Sequence, residues 1–237
     1  MTAINIECDL RNDVPVRFII SLGSACCVGL NLKRLGLKVA SYPLDWTCIE
    51  TKHISTIITQ GIRDSYLVDG VLTNRKDIPG IKFVHHDITE SNDRAYLERC
   101  YQRLLYVLKE QTERVLLINY QVYFRPRDVE DINNCRDIIK EINPDLDFDI
   151  ISIYLQHNPK TPNTHMYRVS EHIIYADVCS RGIWWGNNPH ANGDHDIWDA
   201  LLLSFTYDLV PNDKHGVITT SDSSHDNPFR KFFRNGT

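Results

Sequence analysis

Short apolar runs alternate with amphipathic stretches along most of this chain, which is the pattern of strands and helices taken in turn. The apolar runs are five to eight residues long and rich in β-branched side chains, as in buried strands. The amphipathic stretches repeat apolar residues three and four positions apart, most clearly between Asp93 and Glu110. We predict strands at 16–22, 81–85, 114–119, 148–155 and 171–178, where the last could be an edge strand, and helices at 24–35, 47–60, 93–110, 129–142 and 196–205.

Polar residues that favour helix starts stand at three of these boundaries. Ser24 can cap the first helix, Asp128 can cap the fourth, and Thr47 with Glu50 has the T-x-x-E spacing of a capping box for the second. Gly36 then provides a natural end for the first helix. These local signals support the boundaries that the apolar periodicity indicates.

The alternation of elements predicts an α/β fold. The middle strands are apolar throughout, which is typical of a sheet covered on both faces. We therefore predict a single domain with a mostly parallel, Rossmann-like sheet flanked by helices. Within it we expect residues 1–15 to be an N-terminal extension, 16–210 to form the α/β domain, and 211–237 to be a polar C-terminal tail.

Composition narrows the class of protein. The 237 residues are 42% hydrophobic and 24% charged, which is close to the average of soluble globular proteins. The formal net charge of −5 argues against general nucleic-acid binding. No apolar run is long enough to span a membrane, and residues 1–15 lack the pattern of a signal peptide. We expect a cytoplasmic protein, or one inside a virion, with neither nucleic acid nor membrane as its partner.

The chain contains seven cysteines, and none of them has a C-x-x-C partner. The odd number does not fit a disulfide framework, and the spacing does not fit a structural zinc site. We therefore expect reduced thiols and predict neither a metal nor a cofactor.

The strongest candidate for chemistry is SLGSACC, where the first predicted strand passes into the first helix. Gly23 permits a sharp turn, and capping by Ser24 would place Cys26 and Cys27 in the first helical turn. The free N–H groups there can lower the pKa of a thiol, or bind a phosphate or carboxylate. Equally, both cysteines can be small residues that pack at a tight contact between helix and strand.

The same segment carries a family resemblance. ISLGSACCVGLNLKRLGLKVASYPLDW resembles the opening signature of the DUF1796 family, whose members are described as putative papain-like cysteine peptidases and occur in bacteria and large DNA viruses. The specific matches are SLGxxC at 21–26, LGL at 35–37 and SxPxDW at 41–46. Looser matches are the FVHHD run at 83–87, the strand at 115–119 and the late tryptophans, so that the resemblance spans about 16–205.

The resemblance implies a cysteine hydrolase acting on a peptide or another acyl substrate. Cys26 would be the thiolate nucleophile, with Cys27 as the alternate. His86 would be the general base. His85 is its alternate, since consecutive residues of a strand face opposite sides.

A third group would orient the imidazole. The signature favours Asp45 for this role, with Asp87 and Asn119 as alternates, and the backbone N–H of Cys26 would donate to the oxyanion. The resemblance also implies a papain-like α+β architecture, a helix followed by an antiparallel sheet, as the alternative to the mostly parallel sheet.

Two other functions stay open. A Rossmann-like transferase, such as a glycosyltransferase, could bind a phosphate-containing donor at the turn from Gly23 to Cys27. A non-catalytic binding or virion protein could have kept the same fold. The sequence specifies neither the substrate nor the oligomeric state.

Overall fold

The computed structural model describes residues 3–23, 26–65, 67–68, 71–72, 81–83, 86–122, 128–157, 163–180 and 195–215. Short 3₁₀ turns occur at Thr51–His53 and Asn212–Lys214. The helices and strands of this part of the chain are, in order, β1 Ala3–Ile6, β2 Phe18–Ser21, α1 Cys27–Arg34, β3 Thr47–Ile49, α2 Ile54–Ser65, β4 Leu67–Val68, β5 Val71–Leu72, β6 Ile81–Phe83, α3 Ser91–Glu110, β7 Val115–Val122, α4 Val129–Ile142, β8 Phe148–His157, β9 Asn163–Ser170, β10 Ile173–Ser180 and α5 His195–Leu202.

Six of the strands form one sheet in the order β1-β9-β10-β8-β7-β2. Strands β2, β7, β8 and β10 are parallel to one another. Strand β9 returns antiparallel to β10, and β1 is parallel to β9. The predicted α/β class with a mostly parallel sheet is therefore confirmed, and this sheet differs from the helix and antiparallel sheet of the papain-like alternative.

Helices cover both faces of this sheet. On β7, Val115 and Leu117 pack into a core with α2, α3 and α4, whereas Leu116 and Ile118 pack into a second core with α1 and α5. Alternate residues of a strand face opposite sides, so a strand between two helical layers must be apolar at every position. This explains the continuous apolar runs of the sequence.

Several elements lie where the periodicity predicts them. The helix predicted at 129–142 is α4, and the helix predicted at 93–110 is α3 with two additional residues at its start. The strand predicted at 171–178 is β10, but it lies inside the sheet between β8 and β9, so the edge position suggested for it is wrong. Strand β9 was not predicted because polar residues interrupt it and few of its side chains are fully buried.

The segment between α1 and α3 differs from the prediction. Thr47 lies in β3 and its hydroxyl donates to the carbonyl of Pro43, so the predicted capping box at Thr47 and Glu50 is wrong. Strand β3 pairs antiparallel with β6 in a separate two-stranded ribbon, so the strand predicted at 81–85 does not join the main sheet. This ribbon lies beside the turn that follows β2, because a Cβ atom on Gly23 would meet Ile49.

The predicted cap of α4 is also different. Asp128 occupies the N-cap position of α4 but makes no side-chain capping bond. Its carboxylate instead accepts a hydrogen bond of 2.6 Å from the hydroxyl of Thr51. The side chain therefore links α4 to the turn before α2.

A buried ion cluster closes the sheet at the start of β8. Asp149 is fully buried and accepts hydrogen bonds from Arg11, Arg114 and Arg168 at 2.7 to 2.8 Å. Burial acts to raise the pKa of Asp149, but the three guanidinium groups outweigh it and lower the pKa below its ordinary value. Arg114 is also buried and donates to three backbone carbonyls, so protein acceptors replace water around its guanidinium group.

None of the helices in the described part of the chain has the length and apolar composition that crossing a membrane would require.

Candidate functional site

The turn after β2 depends on a glycine for two reasons. Gly23 has φ of +86°, a conformation that side chains rarely adopt, and a Cβ atom there would lie 2.5 Å from Cγ2 of Ile49. Leu44 lies 3.5 Å from the same position. The open side of this glycine is therefore filled by the ribbon and its preceding loop. The predicted partner in the turn, Ser24, lies outside the described residues.

Cys26 lies directly before the first turn of α1. It occupies the N-cap position, makes no side-chain capping bond, and its carbonyl accepts the amide of Leu30 at 2.9 Å. Its side chain is 6% exposed. Cys27 is the first residue of α1 and packs in the core beneath α1 and α5. The sequence predicted both cysteines in the first helical turn, but α1 begins at Cys27 and Cys26 lies just before it.

Burial determines the ionisation of both thiols. Burial, together with the smaller effect of the nearby thiol of Cys48 on β3, raises the pKa of Cys26 to about 12 against the opposing effect of a backbone hydrogen bond. Burial also raises the pKa of Cys27 well above its ordinary value. The lowered thiol pKa suggested by the sequence is therefore wrong, because desolvation exceeds the effect of the helix N-terminus. Both thiols are protonated at neutral pH.

His86 lies against the start of α3. Its Nδ1 atom is 3.5 Å from Oδ1 of Asp93, and its ring centroid is 4.8 Å from that of Tyr96. The second carboxylate oxygen of Asp93 accepts the amide of Asp87 at 2.7 Å, which fixes the chain beside the imidazole. Asp93 was not predicted as a site residue, although its place in the first turn of the clearest helix was visible in the sequence. His85, the alternate base, lies outside the described residues.

Asp45 and Asp87 have structural partners of their own. The carboxylate of Asp45 accepts the amide of Tyr42 at 2.8 Å and pairs with Lys38 at 3.0 Å. The carboxylate of Asp87 accepts both the amide and the hydroxyl of Thr89. The contacts of Asp45 hold a loop, and those of Asp87 hold a turn. Asp45, which was predicted to orient the imidazole, is therefore paired with Lys38.

Asn119 is the most unusual of the predicted residues. It is fully buried in the middle of β7, and neither atom of its amide has a hydrogen-bond partner among the described residues. Leu22, directly before Gly23, donates its amide to the carbonyl of Ile118 at 2.8 Å, so Asn119 adjoins the turn that leads to Cys26. Each buried polar group without a hydrogen-bond partner lowers the stability of a fold by roughly 1–3 kcal/mol, so the presence of Asn119 at this position needs an explanation.

Metal ligation and disulfide formation are two further possibilities for the side chains of the described residues. Among them, no group of three or more His, Cys, Asp or Glu side chains is placed to hold a metal ion. All seven cysteines are free thiols.

Comparison with protein families gives one match. Residues 17–77 match the family model "Putative papain-like cysteine peptidase (DUF1796)". This segment, about a quarter of the chain, includes Gly23, Cys26, Cys27 and Asp45, but it ends before His86 and Asn119. No curated protein and no solved structure matches the chain.

Proposed function

We propose, from the match of residues 17–77 to this family, that the chain is a cysteine-dependent hydrolase that cleaves a peptide or another acyl substrate with Cys26 as its nucleophile. The observation that carries the proposal is the position of Cys26. It follows a parallel strand at the carboxyl edge of the sheet, where ligands of α/β proteins bind, and it precedes a helix N-terminus.

The start of α1 offers donors for an oxyanion. The first hydrogen bond within the helix joins the amide of Leu30 to the carbonyl of Cys26. The amide of Gly29 precedes this bond, so it has no acceptor among the carbonyls of the helix. Donors of this kind can stabilise the negative charge that develops when a nucleophile attacks a carbonyl group.

The roles proposed for the other residues are supported by the resemblance of the FVHHD run and by the contacts of His86 and Asp45. We assign His86 as the general base and Asp93, 3.5 Å from its Nδ1 atom, as the residue that positions it. Asp93 replaces Asp45 in this role, because Asp45 is held by Tyr42 and Lys38. We assign no role to Asn119, because its amide lacks a partner among the described residues but is fully buried.

The reaction would then proceed through a thioester. Sγ of Cys26 attacks the acyl carbon while His86 takes its proton, and the leaving group departs with that proton. Water next attacks the thioester with His86 again as the base, which releases the acid and restores the thiol. Because burial raises the pKa of Cys26 to about 12, the base must act within the attack step, and the rate should rise with pH.

The state of the cysteines supports a proposal for the cellular compartment. Seven free cysteines, of which four are buried, support a reducing environment, and we propose the cytoplasm.

Hydrolysis of p-nitrophenyl acetate tests the proposal with a simple acyl ester. We expect activity in the wild type, its loss in Cys26→Ser and His86→Gln, and its retention in Cys179→Ser, a half-buried cysteine on β10. Equal loss in Cys179→Ser, or full activity in Cys26→Ser, would contradict the proposal. Circular dichroism of each variant separates loss of chemistry from loss of fold.

Selective alkylation gives an independent measurement that needs no substrate. With a pKa raised to about 12, Cys26 should react with iodoacetamide slowly at pH 7 and faster at pH 9. Prior incubation with the ester should protect Cys26 but leave Cys179 unprotected. Alkylation of Cys26 that is unaffected by the ester would count against its role as the nucleophile.

A further inference from the structure

A short segment after α5, residues 206–215, covers the outer side of the chain that leads into β2. Asp208 donates its amide to the carbonyl of Val16 at 3.0 Å, and Val210 donates its amide to the carbonyl of Arg17 at 2.9 Å. The guanidinium group of Arg17 also pairs with the carboxylate of Asp208. Strand β2 pairs with β7 on its other side, so this segment lies along the edge at which the main sheet ends.

The imidazole of His215 holds the end of this segment in place. The ring is 2% exposed, and its Nε2 atom lies 2.9 Å from the carbonyl oxygen of Val210. Its Nδ1 atom lies 2.9 Å from the hydroxyl oxygen of Tyr42, in the loop of the family signature. The ring also meets Phe18 of β2 edge to face, with 5.1 Å between the centroids. His215 therefore joins the segment to both the signature loop and the sheet.

These partners require a neutral imidazole. A carbonyl oxygen can only accept, so Nε2 carries the hydrogen that Val210 receives. In a neutral ring Nδ1 then accepts, and the hydroxyl of Tyr42 donates to it. Burial raises the pKa of Tyr42, so this hydroxyl keeps its hydrogen. Protonation of His215 would add a second hydrogen at Nδ1, where the hydroxyl hydrogen already lies, and would place a charge in a buried site.

The surroundings of the ring also favour its neutral form. Burial has the largest effect and lowers the pKa of His215 below the ordinary 6.5. The hydrogen bond to Val210 opposes this effect. The positive charge of Arg103 on α3 lowers the pKa further, whereas the carboxylate of Asp213, in the turn before His215, raises it. The sum is a ring that resists protonation only while it stays in its buried position.

We infer that residues 206–215 form a pH-sensitive latch, which is closed while His215 is neutral and is released from the edge of β2 when mild acid protonates this ring. Release leaves β2 paired with β7, so the order of the main sheet is kept. It removes one contact from Tyr42, and thus from the loop that covers the turn at Gly23. The inference requires nothing of Cys26 and does not rest on the proposed hydrolase.

The size of the pH effect follows from the two positions of the ring. In the released segment the pKa of His215 is near the ordinary 6.5, so at pH 5.5 this ring is about ten parts protonated to one part neutral. In the closed latch the lowered pKa keeps the ring neutral to a lower pH. Below pH 6.5 the released state therefore binds more protons than the closed state. The equilibrium constant for opening rises, by at most about tenfold, as the pH falls from about 7.5 to about 5.5.

Native-state amide hydrogen exchange, followed by two-dimensional NMR, measures this opening at the amides of Asp208 and Val210. In the wild type we expect their protection factors to fall severalfold over this pH range, and to stay below those of β7 amides. His215→Gln keeps an N–H₂ donor for Val210 but cannot be protonated, so the fall should disappear. His172→Gln is the matched control, because Nδ1 of His172 also lies against a backbone carbonyl, that of Phe148, at 2.7 Å. This variant should keep the pH dependence of the wild type.

Tyr42→Phe gives a second measurement if urea unfolding shows that His215→Gln weakens the whole fold. It removes the hydroxyl that donates to the neutral ring, so the pKa of His215 in the closed latch should rise and the fall in protection should be smaller.

The inference is overturned if the wild-type protection factors of the two latch amides do not depend on pH, or if the pH dependence persists unchanged in His215→Gln and Tyr42→Phe. An equal loss of pH dependence in His172→Gln would also overturn it. So would latch amides that are as strongly protected as those of β7, because the segment would then be released only when the whole protein unfolds.

Discussion

The buried thiols predict that the protein loses stability in mild alkali. Burial raises the pKa of Cys26, Cys100 and Cys135 from the ordinary 9.0 to about 12. In the unfolded chain these thiols ionise near pH 9, whereas in the folded protein they stay protonated until about pH 12. Above pH 9 the unfolded state therefore binds fewer protons, and the free energy of unfolding falls as the pH rises.

The size of the effect follows from the two pKa values. At pH 10 an unfolded thiol of pKa 9.0 is about ten parts ionised to one part protonated, which stabilises the unfolded chain by about 1.4 kcal/mol. Three such thiols give about 4 kcal/mol. That is a large part of the roughly 5–15 kcal/mol by which most domains are stable.

Cys26→Ser isolates the contribution of the site. Urea unfolding followed by tryptophan fluorescence, in the presence of a phosphine reductant, gives the free energy of unfolding at pH 8 and pH 10. Since all other titrating groups are common to both proteins, the variant should lose about 1.4 kcal/mol less than the wild type between the two pH values. The same difference should appear for Cys135→Ala, which lies in the core between α4 and the sheet.

A non-titrating variant provides the control. Ile139→Val shortens a fully buried side chain of α4 and should lower the free energy of unfolding equally at both pH values. An unchanged pH dependence in Cys26→Ser would refute the reasoning, because it would show that this thiol ionises equally easily in the folded and unfolded protein. In that case the proposed base-assisted attack would lose its physical basis.

Two further predictions concern the frame of the site, and urea unfolding measures both. Gly23→Ala should lower the free energy of unfolding by about 3 kcal/mol or more, because φ of +86° and the contact with Ile49 both oppose a Cβ atom. Gly36→Ala, with φ of +70° and no atom within 4 Å, should lower it by only about 1 kcal/mol. Equal losses in the two variants would contradict the effect of the contact with Ile49. Asp149→Asn should lower the free energy of unfolding by about 3–5 kcal/mol, because it leaves buried guanidinium groups without their carboxylate. The wild type should lose stability as the pH falls towards the lowered pKa of Asp149, and this loss should be smaller in the variant. A change below about 1 kcal/mol would show that the ion cluster contributes little to stability.

The apolar periodicity predicted most of the helices and strands, because both faces of the central strands are buried. The bounds of α4 at 129 and 142 follow directly from its apolar spacing. Strand β9 was missed because some of its residues, such as Arg168, make polar contacts at the rim of the sheet. The capping box at Thr47 failed because a tertiary pairing with β6 outweighs a local signal worth about 1 kcal/mol.

The candidate site could be predicted only in part. The position of Cys26 after a strand and before a helix was evident from the sequence, since it depends on neighbours in the chain. Its raised pKa was not, because both its burial and the nearby thiol of Cys48 on the ribbon depend on tertiary packing. The contact of His86 with Asp93 was not evident either, because it depends on how the chain turns into α3. Lys38 and Arg103 both contact Ser41 only because α3 packs against the loop that follows α1.

The pairing of β1 with β9 has a consequence for synthesis on the ribosome. Ala3 lies opposite Asn163, so β1 leaves the ribosome long before the strand on which it pairs. At about 5–20 residues per second, this interval is roughly 10–30 s. During that time the backbone donors and acceptors of β1 are open to other chains, which makes this short strand the place where nascent copies would be prone to associate. A slower ribosome would lengthen the interval, and a chaperone that binds extended segments would protect it.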